Sequence, residues 1–132
     1  MFTEIVSPRF SETDALGHIN NAVLPVWFEK AREPVFRLFT PDLDIRKWQL
    51  IIARIAVDFL AELQYGSDVE VRTGLSRVGN SSITIGHEAW QGGVCCARGE
   101  AVMVHFDYEQ KKVLAIPEDI RTLLEQHRTA AS

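Results

Sequence analysis

The apolar period of this chain changes once, and that change limits what it can fold into. Leu24, Trp27, Phe28, Ala31, Val35, Leu38 and Phe39 follow an i, i+3, i+4, i+7 stripe, one face of an α-helix. From residue 51 the period is two. Ile51, Ala53, Ile55, Val57, Phe59, Ala61 and Leu63 form one apolar face, and Ile52, Ala56 and Leu60 alternate on the other with Arg54, Asp58 and Glu62. An amphipathic helix ahead of a run of strands buries its stripe by lying on a sheet.

The stripe predicts a helix of roughly fifteen to eighteen residues, about 25 Å long. Asn20 or Asn21 is placed to cap it, because a short side-chain oxygen accepts from the first free N–H groups. Pro25 fits the first turn, whereas Pro34 removes one backbone bond and should kink the rod. A first strand is expected in residues 2–10. Three more follow 51–63: Val69–Leu75, Ile83–Ala89 and a long last one over 94–108. One face of that last strand, Cys95, Ala97, Gly99, Ala101 and Met103, is small enough for the helix to approach closely. Pro117 opens a short C-terminal helix, with Glu118 and Asp119 in its first turn. One helix cannot cover both faces of five strands, so a dimer at minimum is expected, with 51–63 facing the partner.

Composition fits one folded unit, residues 1–132, without linker or repeat. Apolar residues are 46% and charged residues 24%, near globular averages, which excludes a disordered tail, a collagen-like repeat and a disulfide scaffold. The apolar run 22–28 is far short of the ~20 residues that span a bilayer. Glu4 stands where a secretory signal would be basic and then apolar. The expectation is a cytoplasmic protein without membrane partners. Fourteen Lys/Arg against eighteen Asp/Glu give −4, a poor balance for nucleic acid. Cys95 and Cys96 would point to opposite faces of a strand. They suit neither a disulfide nor a zinc site and read as packing thiols.

The chemistry concentrates in 14-DALGHINN-21. A carboxylate, an imidazole and two amides stand directly before a helix, whose bare N–H groups can stabilise an oxyanion. A carboxylate there can attack a carbonyl or activate water, and Gly17 would permit close approach. That is a site for acyl transfer or ester-type hydrolysis. The same residues are also ordinary cap and turn formers, and His18 by itself reads as a hydrogen-bonded loop residue.

The stretch 11-SETDALGHINNAVLPVWFEKAR-32 resembles the signature of the hotdog-fold acyl-CoA thioesterases of the 4-hydroxybenzoyl-CoA thioesterase type. Val57-Asp58-Phe59, Leu63-Gln64-Tyr65-Gly66, Val78-Gly79-Asn80-Ser81-Ser82 and Ala115-Ile116-Pro117 follow in that family's order. The resemblance implies an α+β hotdog: a curled five-stranded antiparallel sheet around one long central helix, with a short C-terminal helix. It implies hydrolysis of an acyl-CoA to a free acid and CoA, in a homodimer or homotetramer with active sites between subunits, without metal or cofactor. Asp14 would be nucleophile or general base, the Asn21 N–H the oxyanion donor, and His18 an orienting group. Gly17, Asn20 and Leu24 would line the substrate site, with Asp58 and Tyr65 at the interface and Ser81 and Ser82 near the CoA entrance.

Three departures stand out. Leu24 replaces a tyrosine of many relatives and makes the lining greasier, and Pro25 and Pro34 are unusual in this helix. A branch that catalyses from the helix would need Glu29 or Glu33, but Glu29 is expected to pair with Arg32 on a solvated face. Arg72, Arg77, Arg98, Lys111 and Lys112 are available for the CoA phosphates. His87 and His105 read as structural, and Trp27, Trp48 and Trp90 as packing residues. The alternatives are a hotdog hydratase or dehydratase and a non-catalytic acyl-CoA binder.

Overall fold

The computed structural model describes residues 1–129. Strand β1 (Phe2–Val6) leads through a polar loop to helices α1 (Val23–Ala31) and α2 (Glu33–Phe39). Then come β2 (Leu50–Phe59), β3 (Val69–Val78), β4 (Ser82–Gln91), β5 (Val94–Asp107), the two-residue β6 (Lys112–Val113) and α3 (Glu118–Glu125). The main strands form one curled antiparallel sheet in the order β1-β3-β4-β5-β2, with β6 beside β5. Between β1 at one edge and β2 at the other, the chain makes the two helices.

The expected helix is interrupted at Arg32. Pro34 has no N–H to offer the Lys30 carbonyl, and the Arg32 N–H is shared between the carbonyls of Phe28 and Glu29. Two helices of nine and seven residues therefore replace the single rod. Both halves keep their apolar stripe on the sheet. Leu24, Trp27, Phe28 and Ala31 pack with Val69, Val71, Ala89 and Ala97, whereas Val35, Phe36 and Phe39 pack with Leu75, Ile83, Ile85 and Met103.

The small face of β5 serves the close approach expected of it. A Cβ on Gly99 would lie 2.6 Å from the Phe28 ring. One residue of that face is corrected: between Ala89 and Trp90 of β4 the register shifts, with Cys95 opposite Trp90 and Ala97 opposite Ala89. The extra residue, Cys96, turns into the core while Cys95 stays half-buried. Burial pushes the Cys96 thiol above its usual range. A second irregularity, between Ile52 and Arg54, interrupts the alternation read along 51–63, and the strand ends at Phe59 rather than Leu63.

Candidate functional site

Residues 13–19 form a miniature hairpin before α1. Thr13 bridges Ile19, and the Asp14 N–H donates to the His18 carbonyl at 2.8 Å. The turn needs Gly17 for its backbone, since φ is +79° and a Cβ there would meet nothing within 4 Å. Segment 63–65 lies alongside: the Ile19 N–H donates to the Leu63 carbonyl at 2.8 Å, and His18 bridges Gln64.

The Asp14 carboxylate is held by its own loop. Its Oδ1 accepts from the backbone N–H of Leu16 at 2.8 Å and of His18 at 3.2 Å. Asn20 Oδ1 accepts from the Ala22 N–H at 2.9 Å, and the Asn20 carbonyl from the Val23 N–H. Asn20 thus closes the turn ahead of α1, but the N-cap is Ala22 without a side-chain cap bond, so neither Asn20 nor Asn21 caps the helix as expected. Among the described residues nothing accepts from the Asn21 N–H.

These groups meet at a cleft of about 660 Å³ between the loop, the first turn of α1 and the ends of β2 and β5. Asp14, Asn20, Asn21 and Leu24 all line it. So do residues read only as strand or packing positions: Ile19, Leu63, Cys96 and Ala97 on the buried side, and Phe59, Leu60, Ala61 and Glu62 on the open side. Where β2 ends, residues 60–63 turn back toward the loop. The N–H groups of Leu60 and Ala61 both donate to the Cys96 carbonyl.

The remaining candidates are not on that lining. His18 contributes its backbone, while its Nδ1 sits 3.5 Å from Glu62 Oε2. Tyr65 is bonded to the loop through its N–H and the Gly17 carbonyl, but its ring is exposed, edge-on to Phe10. Asp58 is exposed on β2, opposite Arg98 of β5. Ser81 and Ser82 lie at the other end of the sheet. Ser82 pairs with Val104 whereas the cleft touches Ala97, seven residues along β5 or about 23 Å. Of the cations, Arg72 pairs with Glu70 and covers the Trp90 ring, and Arg98 lies 3.8 Å from Glu88.

Two groups act at a distance from the cleft. Glu12 ties the loop to the helix. Its Oε1 accepts from the Arg9 N–H at 2.7 Å, its Oε2 from Trp27 Nε1 at 2.8 Å, and its carbonyl from the Asn20 N–H. Its place two residues before Asp14 was the only hint in the sequence. Arg32 corrects an expectation: it is 6% exposed, and among the described residues it forms no ion pair with Glu29. It lies four residues after Phe28, on the buried stripe. Its Nη1 lies 3.4 Å from His87 Nε2, while His87 Nδ1 is 2.9 Å from Thr73 Oγ1. Burial, with Arg32 beside it, pushes the His87 pKa down to about 3, and burial lowers that of Arg32. A neutral imidazole accepts from Arg32 and donates to Thr73, so His87 is structural, as read.

The sequence as a whole matches a family. The family model described as the thioesterase-like superfamily aligns with residues 8–124. The chain belongs to the thioesterase-like superfamily. It is similar to the uncharacterized protein YsmA of Bacillus subtilis, 31% identical over 126 residues, covering 93% of this chain and 85% of that protein. Among solved structures it is similar to a predicted thioesterase from Bacillus stearothermophilus, 48% identical with a TM-score of 0.94, covering 97% of this chain and 96% of the other. It is also similar to a thioesterase from Thermus thermophilus complexed with coenzyme A and Zn, 31% identical with a TM-score of 0.83, over 94% and 91% of the two chains. The hotdog resemblance read from the TDALGHINN block therefore holds for a thioesterase-superfamily chain.

Proposed function

We propose that this thioesterase-superfamily chain hydrolyses acyl-CoA thioesters, with Asp14 and the Asn21 N–H as the reacting and stabilising groups. The observation that carries this reading is their shared cleft: a carboxylate with one oxygen tied down by its loop, and the Asn21 N–H, two residues ahead of α1, without a partner among the described residues. The coenzyme A held by the Thermus relative supports the choice of thioester. With the thioester carbonyl between the two groups, the Asn21 N–H donates to the oxygen as it gains charge. The free Asp14 oxygen adds to the carbonyl carbon, or takes a proton from a water that adds instead. Collapse of the adduct expels the CoA thiolate. By the first route water then cleaves the mixed anhydride and restores Asp14; by the second the acid forms directly.

The Asn21 N–H, without a partner among the described residues, shares the cleft with Asp14 and suits a carbonyl oxygen, which favours carbonyl chemistry over hydration of an acyl double bond; Glu62, with His18 turned toward it, is the second carboxylate of the lining. A dimer through β2 belongs to the same reading. β2 is an edge strand, and Ile52, Ile55 and Phe59 stay about half exposed on it. A groove of about 820 Å³ runs between this strand and the outer face of the helices. A paired copy would cover the edge, and Asp58 and Tyr65 are proposed to complete the site across it.

Thiol release from a panel of acyl-CoAs, wild type against Asp14→Ala, tests the assignment. The expected loss is two to three powers of ten in kcat/KM, about 2.7–4 kcal/mol. Undiminished turnover removes Asp14 from the mechanism.

A further inference from the structure

The cleft has two unlike walls. The choice of acyl group that follows rests on the thioester reading above. Polar groups stand at the entrance, and the acidic side chains among them are Asp14 and Glu62; among the described residues no Lys or Arg lines the cleft. The inner wall is apolar and shut, with Leu24 and Ala97 each about 1% exposed. Leu24 belongs to the first turn of α1. Phe28, one turn deeper on the same stripe, does not line the cleft: its ring lies against the Gly99 backbone and closes the space between helix and sheet. The pocket therefore reaches about one helical turn past the Asp14 loop, roughly 5 Å.

We propose that the acyl group taken here is a neutral, short to medium aliphatic chain, with Leu24 setting its length and the Asp14–Glu62 pair rejecting acyl tails that end in a carboxylate. A carboxylate on the acyl tail would enter a negative cleft without a cation to receive it, losing water and gaining repulsion. A long chain would have to displace Phe28 from Gly99. Aliphatic tails meet an inner wall of Ile19, Leu24, Leu63, Ala97 and the Cys96 thiol, and each methylene fitted or refused against such a wall changes selectivity by about ten- to two-hundredfold.

The experiment compares kcat/KM for butanoyl-, hexanoyl-, palmitoyl- and succinyl-CoA. Butanoyl and succinyl esters match in carbon count and differ in terminal charge. Butanoyl-CoA is expected to exceed succinyl-CoA by about a hundredfold or more, and hexanoyl-CoA to exceed palmitoyl-CoA by at least tenfold. Glu62→Gln should raise succinyl-CoA relative to butanoyl-CoA. Leu24→Ala should move the optimum to longer chains, and Leu24→Phe to shorter ones; the opposite signs separate a gauge from general loss of folding. Equal turnover of succinyl- and butanoyl-CoA, or a palmitoyl optimum in the wild type, overturns the inference and leaves the thioesterase reading intact. Should no ester be hydrolysed, the thioesterase reading fails. The pocket is then judged by calorimetry with the inert thioethers S-hexyl-CoA and S-(3-carboxypropyl)-CoA. Selective binding of the hexyl compound upholds the inference, and equal binding overturns it.

Discussion

β5 and β2 lie side by side and are both rich in apolar residues, yet one is closed in and the other bare. Ala97, Ala101 and Met103 of β5 are buried under the helices. Ile52, Ile55 and Phe59 of β2 are about half exposed. Hydrophobicity alone predicts the reverse, since the β2 side chains are larger. What decides is position. β5 is an inner strand and its small residues let the helix come down to the backbone, as Phe28 does on Gly99. β2 ends the sheet, beyond the ground the helices cover. Small residues mark an interface already made within the chain, and the large ones bare on the edge are those that the proposed dimer would cover.

The sharpest way to break that contrast is a charge on the bare strand. Ile55→Lys is expected to weaken self-association at least a hundredfold, about 2.7 kcal/mol, as read by sedimentation velocity across a dilution series. Turnover should fall with the dimer if the partner completes the site. An unchanged association constant would mean that the copies meet elsewhere. The matching change on the closed strand is Gly99→Ala. Its methyl would press on the Phe28 ring and approach the Ala56 carbonyl at 3.3 Å. Overpacking of this kind costs about 1–3 kcal/mol, visible in urea unfolding, while the oligomeric state stays as in the wild type. A neutral result would show that Phe28 has room to move, which also bears on the length limit of the acyl pocket.

Much of this was legible. The change from helical to strand period places the strands that follow the helices, most cleanly β3 and β4, where alternation survives folding: Val69, Val71, Thr73 and Leu75, then Ile83, Ile85, His87 and Ala89, are all buried; β1 and β2 are each shorter than the runs read as strands, 2–10 and 51–63. The eight-residue block before α1 supplies Asp14, Asn20 and Asn21, and Leu24 follows, because a local motif carries its own geometry. What stayed hidden is what distant segments do to one another. Cys96 reaches the cleft only because β5 bulges against β4, and residues 60–63 only because β2 stops early and turns back. Neither event has a local signature. Arg32 was misplaced for another reason. Its charge argued for solvent and its position on the stripe for burial, and the stripe prevailed.

A third test concerns that buried cluster. In the folded chain His87 stays neutral down to about pH 3, whereas unfolded it protonates near its ordinary value of 6.5. Between those values the unfolded chain holds a proton that the folded chain refuses. Stability must therefore fall as pH drops through that window, by at most about 1.4 kcal/mol per pH unit. Above pH 6.5 this pH dependence vanishes. His87→Gln keeps an acceptor for Arg32 and cannot titrate, so its unfolding free energy should change less steeply from about pH 6.5 toward 4. A slope equal to the wild type's would assign the acid sensitivity to other groups.

The smallest effect lies in the strap that joins the Asp14 loop to the helix. Glu12 accepts from Arg9 and Trp27 through different carboxylate oxygens. Glu12→Gln has one good acceptor oxygen left, so one of those donors goes unanswered, at a net cost of about 1 kcal/mol. Paired with Trp27→Phe, which deletes the indole donor, the double-mutant cycle should return a coupling of about 0.5–1.5 kcal/mol. If the Trp27 bond is the one that matters, Glu12→Gln should cost little once the indole is gone. Strict additivity would instead assign the Glu12 contribution to the Arg9 end of the loop. In that case Asp14 is set by the hairpin between residues 13 and 19 alone, without help from the helix it faces.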